Sequence, residues 1–583
     1  MFKLLRFLKP YWWQVIILLI STGGQVYATL QLPALMADII NNGIVPADMN
    51  RVWQDGGLML LVVVISAIAS FISSFLSARI GAYLSRDLRA AVFQKVLTFN
   101  VAEAKEYSTA SLITRTTNDV NQIQMIITMM LSLMLRAPLF CVLGLVMAIQ
   151  TAPEMSWIIV VGITAVVISV AIIMSLVGPK FRLFQKLVDR ITLVTRENLT
   201  GIKVVRAFNN ESVERKKFSK TNNDMTKLMI YIDKVLELQN PLINIIFNGT
   251  TLLCSWVGIS LLNQDYSYLG NMTAFAEYVT FVMMSFLMLS LFFIMVPRAN
   301  VSAGRINEIL KMNNKITFPE QTKGVPDKHA SVEFKKVSFC YPDAAEKRLD
   351  NISFRAEAGT TTAFIGSTGS GKSTLINLVP RFYEATEGEV LIDGLSIANY
   401  SKDDLMSRIG LVPQHGVLFA GTIASNIKFG APNATMEQVK KAASVAQATN
   451  FIEKLPDKYN ARISQGGTNV SGGQKQRLSI ARAICKNPDI FIFDDSFSAL
   501  DMKTDAKLRA ALKPITEDAV VLIVAQRVST IKDADQIVVL DNGKMAGRGT
   551  HKELLKDCEV YRSIVKSQLS DAEWKKELNG TRA

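Results

Sequence analysis

The sequence predicts a chain of two unlike parts: an all-α transmembrane domain with six spans, then an α/β domain built around a phosphate-binding loop. Three observations carry this. Residues 1–300 hold six apolar stretches, each with the roughly 20 apolar residues that a bilayer core demands. Residues 330–583 return to the composition of a soluble domain. Within that second part stands Gly366-Ser367-Thr368-Gly369-Ser370-Gly371-Lys372-Ser373, which fits G-x-x-x-x-G-K-[ST]. The expected domains are 1–310 for the membrane part, 311–330 for a linker and 331–583 for the α/β part.

Composition narrows the function classes. At 583 residues the chain holds more than one domain. The formal charge of +14 raises nucleic acid as a partner. That reading is set aside, because many of the basic residues flank apolar spans, where anionic lipid accounts for them. Cys141, Cys254, Cys340, Cys485 and Cys558 are widely spaced, with no C-x-x-C pair and no disulfide framework. Three histidines argue against a zinc site. The basic N-terminal flank imitates a signal peptide, but the run after it is a full span without a small-residue cleavage site.

The membrane part reads in order. Residues 1–10 form a short amphipathic helix, with Lys3, Arg6 and Lys9 beside Phe2, Leu5 and Leu8, and Tyr11, Trp12 and Trp13 follow as interfacial anchors. Spans are expected over about 14–37, 56–78, 131–151, 156–178, 242–262 and 273–296. A short loop with Asp38, Asp48, Asp55 and Arg51 joins the first two. Long polar, helical segments cover about 79–130 and 179–241. These two hold nineteen Lys and Arg, whereas the loops near 38–55, 150–156 and 263–272 hold one Arg. The asymmetry places both termini and both long segments in the cytoplasm. Arg136, Arg298 and Glu277 near span ends are either buried in the bundle or snorkelling to the interface. Met283, Met284, Met288, Phe281, Phe286, Phe292 and Phe293 give the sixth span a soft face that suits either promiscuous binding or plain packing.

The linker is marked by Pro319, Gly324 and Pro326. Strands are expected at Val332–Phe339, Leu349–Ala356, Thr361–Ile365, Glu389–Ile392 and Ile409–Val412. A mostly helical insert occupies about 422–462. Between strand and helix, the glycines of 366–373 let successive N–H groups point at phosphate oxygens, and the helix N-terminus adds partial positive charge. Lys372 can reach the β- and γ-phosphates, and Ser373 can hold Mg²⁺. Tyr341 can stack on an adenine ring or be an ordinary turn aromatic. Ser471 fits an N-cap, with Gly472 and Gly473 leaving N–H groups clear for a phosphate. The run Ile490 to Phe493 is a buried strand that delivers Asp494 and Asp495 at its carboxyl edge, where ligands bind in open α/β sheets. Ala519–Ala525 is a similar strand, ending in Gln526.

With these motifs in place the chain resembles the ATP-binding-cassette exporters over essentially its whole length. The resemblance implies a six-span membrane domain fused to one ABC-type nucleotide-binding domain. It makes Gly366–Ser373 with Thr374 the Walker A loop, Tyr341 the adenine-stacking aromatic, and Gln414 the residue that senses Mg²⁺ and the coupling helices. It makes Ser471-Gly472-Gly473-Gln474 the signature and Ser498-Ala499-Leu500-Asp501 the loop across the dimer interface. Ser373, Gln414 and Asp494 are the expected Mg²⁺ contacts, with ATP as ligand. Transverse coupling helices are expected near 101–110 and 207–216. Two positions depart from the pattern: Asp495 stands where the family has Glu, and Gln526 where it has the switch His. The sequence therefore resembles the degenerate-site subunits of bacterial heterodimeric multidrug exporters. That likeness implies a multi-pass protein of the bacterial cell membrane and a hydrophobic substrate. It also implies a partner half-transporter that carries the Glu and His. A lipid flippase, a homodimer, an importer module and a regulatory nucleotide-binding protein are the alternatives.

Overall fold

Apolar runs interrupted by few polar residues become helices longer than a bilayer is thick. The structure is a computed structural model that describes residues 2–262, 268–314, 316–325, 330–342, 344–570 and 573–574. By its contacts the chain divides into two units, one of Met1–Thr98 with Tyr107–Met312 and one of Phe99–Glu106 with Asn313–Ala583.

The N-terminal residues Phe2–Tyr11 form 3₁₀ turns that lead into α1 (Trp12–Asp38). A π-helical turn, Ile39–Ile44, follows. Next comes α2 (Met49–Leu97), capped by the Asp48 carboxylate, which accepts from the N–H groups of Asn50 and Arg51. Its 49 residues span about 70 Å at 1.5 Å per residue, more than twice the ~30 Å hydrocarbon core. The second span and the start of the polar segment expected after it are thus one helix. Asp55, expected in a loop, lies inside α2, where Arg51 bridges it at 3.1 Å and Asp38 at 3.0 Å.

The chain continues through α3 (Val101–Glu106), α4 (Thr109–Thr116), α5 (Asn118–Met129) and α6 (Arg136–Thr151). Then come α7 (Ser156–Thr200), α8 (Ile202–Ala207), α9 (Glu211–Glu237), α10 (Gln239–Leu262) and α11 (Tyr268–Lys311). Among the described residues, six helical stretches are long and apolar enough to cross a membrane: Lys3–Ile44, Met49–Leu97, Thr109–Thr151, Pro153–Thr200, Glu211–Leu261 and Leu269–Leu289. The first short helix falls at 101–106, within the expected range. The second falls at 202–207, upstream of the expected 207–216, whose later residues belong to α9. Gly201 ends α7, and Asn209, at φ +52°, ends the short helix; Asn tolerates that left-handed conformation better than most residues.

Inside the first unit the helices are tied by polar contacts among apolar packing. The buried Tyr278 hydroxyl donates to Leu30 O at 3.0 Å. Arg136 Nη2 donates to Ser73 Oγ at 2.7 Å and Ser74 Oγ at 3.3 Å, joining α6 to α2. Ser302 Oγ donates to the buried Asp119 carboxylate at 2.8 Å, and Arg115 meets Glu308 at 2.8 Å, so α11 is pinned to α4 and α5. The soft face expected on the sixth span is divided: Met283 is buried in the bundle core, Met284 is exposed, and so is Glu277. The side chains of Phe292, Phe293 and Arg298 lie outside the described residues.

In the second unit, α3 joins an antiparallel sheet. Its Val101 and Ala102 lie against the apolar cluster that this sheet shares with a parallel sheet and the helix Lys372–Leu378, and Lys105 Nζ stands 5.7 Å over the Tyr383 ring. The strands are β1 (Ser331–Phe339), β2 (Leu349–Glu357) and β3 (Thr361–Gly366), with α12 (Lys372–Leu378) after them. Next are β4 (Glu387–Ile392), β5 (Leu395–Ser396), α13 (Lys402–Arg408) and β6 (Ile409–Val412). The helical insert holds β7 (Gly421–Thr422), α14 (Ile423–Ile427), α15 (Met436–Val445), α16 (Thr449–Ile452) and β8 (Arg462–Ile463). Then follow α17 (Gly472–Lys486), β9 (Ile490–Asp494), α18 (Met502–Leu512), β10 (Val520–Val524) and α19 (Val528–Ile531). The end of the chain adds β11 (Gln536–Asp541), β12 (Lys544–Gly549), α20 (His551–Asp557) and α21 (Glu559–Gln568).

Two larger sheets result, ordered β2-β1-β4-β5 and β12-β11-β3-β10-β9-β6. From β11 to β6 the second sheet is parallel. Its strands β9 and β10 are buried at every residue, as a parallel sheet covered on both faces requires. Side chains alternate: Phe491 and Phe493 enter one apolar cluster, Ile490 and Ile492 the other. Val524 lies opposite both Asp494 and Phe364. That register brings the ends of β3, β9 and β10 level, with the segment after β6 beside them.

Replacing Phe493, fully buried and stacked 6.1 Å from Phe491, by Ala should cost about 3–5 kcal/mol. A scanning calorimetry trace of the full chain in detergent should show its melting temperature lowered. An unchanged trace would contradict the packing.

Candidate nucleotide site

The loop between β3 and α12 can be built with little besides glycine at its last turn. Gly371 sits at φ +103°, and a Cβ there would stand 2.8 Å from Leu349 Cδ2. Lys372 follows, nine-tenths buried, with Nζ donating to Gly366 O at 2.9 Å and Ser367 O at 2.8 Å. The ammonium is thereby held over the loop. Burial pushes its pKa below the usual lysine value, and the charges of Asp495 and Asp494 oppose that shift. Ser373 Oγ donates to Asp494 Oδ1 at 2.9 Å, which ties the loop to the end of β9. Tyr341 is half-buried rather than exposed. Its ring stands edge-on to Phe339 and Tyr383, and its hydroxyl is 3.0 Å from Thr374 Oγ1.

At the carboxyl edge of the sheet Asp495 takes a left-handed backbone, φ +47°, and its N–H donates to Val524 O at 2.9 Å. Its Oδ2 accepts from Gln526 Nε2 at 2.8 Å and lies 3.5 Å from Gln414 Nε2. Burial raises the pKa of both Asp494 and Asp495 above the usual carboxylate value. Against that, Ser373 holds Asp494 down, and Ser498 and Gln414 hold Asp495 down. Hydrogen bonds thus tie Lys372 to the loop, Ser373 to Asp494, Tyr341 to Thr374 and Gln526 to Asp495, with Gln414 beside Asp495. The segment Ser471 to Gly473 stands at the head of α17. Ser471 Oγ accepts the Gln474 N–H at 3.3 Å while Gln474 Oε1 accepts the Ser471 N–H at 2.9 Å, a reciprocal cap. Ser471 and Gly472 are exposed, and a Cβ at Gly472 would meet nothing within 4 Å.

Residues 15–286 match the family described as the ABC transporter transmembrane region, and residues 349–498 match the ABC transporter family. An uncharacterized ABC transporter ATP-binding protein of Mycobacterium tuberculosis is 37% identical, over 96% of this chain and 97% of that protein. The chain belongs to the ABC transporter family. The ATP-dependent lipid A-core flippase of Haemophilus influenzae is 30% identical to it, over 92% of this chain and 91% of that one. The fold is similar to that of a bacterial Atm1-family ABC exporter with ATP bound, at a TM-score of 0.79 and 23% identity, over 97% of this chain and 99% of that one. This ABC transporter chain therefore has the layout of an exporter half-transporter, one membrane domain followed by one ATP-binding domain.

The residues present fit a nucleotide and a hard cation. The loop amides suit phosphate oxygens, and the Ser373 hydroxyl, the Asp494 carboxylate and the Gln414 amide are oxygen donors of the kind Mg²⁺ takes. Among the described residues no group of three or more His, Cys, Asp and Glu could hold a metal. Mg²⁺ here would draw its other ligands from phosphate and water, as is usual for this ion. An open cleft of about 1740 Å³ lies beside the switch turn, lined by Asp501, Gln526, Arg527, Lys532, His551 and Gln568 among others. Gln568 is absent from the residues expected from sequence. It closes α21, far along the chain, and no motif or spacing marks it.

Asp494 carries a pKa raised by burial, so its ionised form is less favourable folded than unfolded. That penalty is complete above the folded pKa and absent below the usual value. Replacing Asp494 by Asn should therefore raise the melting temperature of the nucleotide-free ABC transporter chain at neutral pH. The gain should shrink as pH falls through the raised pKa, while Mg²⁺-dependent ATP binding weakens. Thermal melts across pH, with and without MgATP, check both; a melting temperature lowered at neutral pH would contradict this electrostatic account.

Proposed function

We propose that this chain is one subunit of a heterodimeric, ATP-driven efflux pump for hydrophobic or lipid-like compounds. Its own ATP site binds firmly and hydrolyses slowly. Its signature helix completes the partner's faster site. The observation that carries the reading is the Asp495–Gln526 contact. In the family pattern a Glu orients the attacking water and a His contacts the γ-phosphate. Here the shorter Asp495 carboxylate is already engaged by the Gln526 amide at 2.8 Å.

On this reading the residues take the following roles. The loop amides of Gly366–Ser373 and the Lys372 ammonium hold the phosphates, with Thr374 at the start of the following helix. Tyr341 offers its ring to the base. Ser373, Gln414 and Asp494 would hold Mg²⁺, which would neutralise phosphate charge. Water attack on the γ-phosphorus requires a carboxylate within reach of that water. Asp495 is one methylene, on the order of 1 Å, shorter than Glu, and a misplacement of that size can cost about 100-fold in rate. Gln526 donates hydrogen bonds but carries no proton away. Ser471 and Gly472 are exposed and Gly473 is half-buried at a helix N-terminus, where anions are favoured. They would face the γ-phosphate held by the partner.

The charge asymmetry of the loops supports cytoplasmic termini in a bacterial membrane. A lipid-flipping role is the second reading, supported by the likeness to the lipid A-core flippase.

With the partner half-transporter present, Gly472→Glu should reduce steady-state ATP hydrolysis by about 100-fold or more, because it sets a carboxylate against the partner's phosphate. Asp495→Asn should change it only a few-fold. The assay is ATPase turnover of the purified pair in lipid vesicles. Abolition by Asp495→Asn with activity kept in Gly472→Glu would overturn the assignment.

A further inference from the structure

The turn after β10 carries Gln526, yet the sheet does not hold it. The last ladder contact is Ala525 N–H donating to Phe364 O at 3.1 Å. Beyond it the chain enters α19, a single turn whose N-cap residue, Arg527, makes no side-chain cap. Two backbone groups there find their partner on one side chain 40 or so positions away. Gln568 Nε2 donates to Gln526 O at 2.7 Å, and Gln568 Oε1 accepts from Val528 N–H at 2.8 Å. A carbonyl at one residue and an N–H two residues on are the groups that one residue of a parallel strand would bind. The Gln568 amide thus extends the ladder past the end of the sheet.

The platform beneath that amide is firm. Tyr561 and Val565 of α21 are fully buried in the apolar cluster beneath the parallel sheet. Gln568 itself is exposed, so water can replace its hydrogen bonds when it is removed, and the fold loses little. The direction of the turn is what it controls. From that turn the Gln526 side chain reaches Asp495 Oδ2 at 2.8 Å. A turn free to tilt would carry the amide away from the carboxylate and from any phosphate beside it.

We propose that Gln568 is a positioning residue for the switch position, fixing where the Gln526 amide is presented to nucleotide. The proposal rests on Gln526 facing the γ-phosphate, and it holds whether or not this site hydrolyses slowly.

The test is a double-mutant cycle on the full chain with its partner half-transporter. The readout is retention of a photoreactive ATP analogue with Mg²⁺ on this chain, beside the melting temperature of each variant. Gln526→Ala should weaken retention roughly three- to tenfold, the worth of one neutral hydrogen bond. Gln568→Ala should do so by a similar factor at an unchanged melting temperature. The double variant should be no worse than Gln526→Ala alone, because both act through one amide. Gln568→Glu should lose retention at neutral pH and regain it as the pH falls, since the protonated carboxyl recovers the donor. Wild-type retention in Gln568→Ala, or losses that multiply in the double variant, would overturn the proposal alone. So would losses that only track a lowered melting temperature. No effect of Gln526→Ala would overturn the reading of Gln526 and this proposal with it.

Discussion

Two carboxylates and an ammonium are confined side by side at the carboxyl edge of the parallel sheet, and the nucleotide-binding unit is arranged around that burial. Asp494 ends one fully buried strand, Asp495 follows it, and Lys372 begins the helix after β3, which lies two strands away in the same sheet. Burial works against the charge on all three. Mutual attraction and hydrogen bonds from Ser373, Ser498 and Gln414 offset part of that cost. In such a site each remaining charge interacts more strongly than it would in water. A ligand that brings phosphate charge, with a divalent cation, would complete the balance on the proposed reading.

The same confinement gives the departures at 495 and 526 their weight. At an exposed site a missing methylene would be absorbed by side-chain motion. Here Asp495 has a left-handed backbone pinned to Val524, and its carboxylate is bonded to Gln526. It has little freedom to extend toward a water that a longer Glu would reach. A carboxylate and an amide satisfy each other in a way that a carboxylate and a neutral imidazole need not. On the proposed reading that mutual satisfaction favours holding nucleotide over splitting it. At the signature end of α17 the Ser471–Gln474 cap leaves Ser471 and Gly472 exposed, which on the proposed reading suits a role in the partner's site.

Much of this was readable from the sequence because the signals are local. The phosphate loop, the buried run from Ile490 to Phe493 and the capped head of α17 each announce themselves within ten residues. Their convergence follows from one rule, that strand ends in open parallel sheets gather ligands. Span positions were readable from hydropathy, but not where each helix stops, because α2 and α7 run on through polar sequence where hydropathy falls. The displaced short helix at 202–207 depended on Gly201 and Asn209 acting as stops. The contact of Asp495 with Gln526, the tie of Tyr341 to Thr374, and the Gln568 clamp join residues 31 to 42 positions apart. No periodicity records such meetings.

The central claim is that the two sites of the assembled transporter differ in chemistry, with this chain's site the retentive one. The most direct measurement is the nucleotide bound to each chain after a brief burst of turnover, identified by crosslinking a radiolabelled photoreactive ATP analogue and separating the two chains. The account predicts uncleaved triphosphate on this chain and diphosphate on its partner. Diphosphate on both chains in equal measure would contradict it.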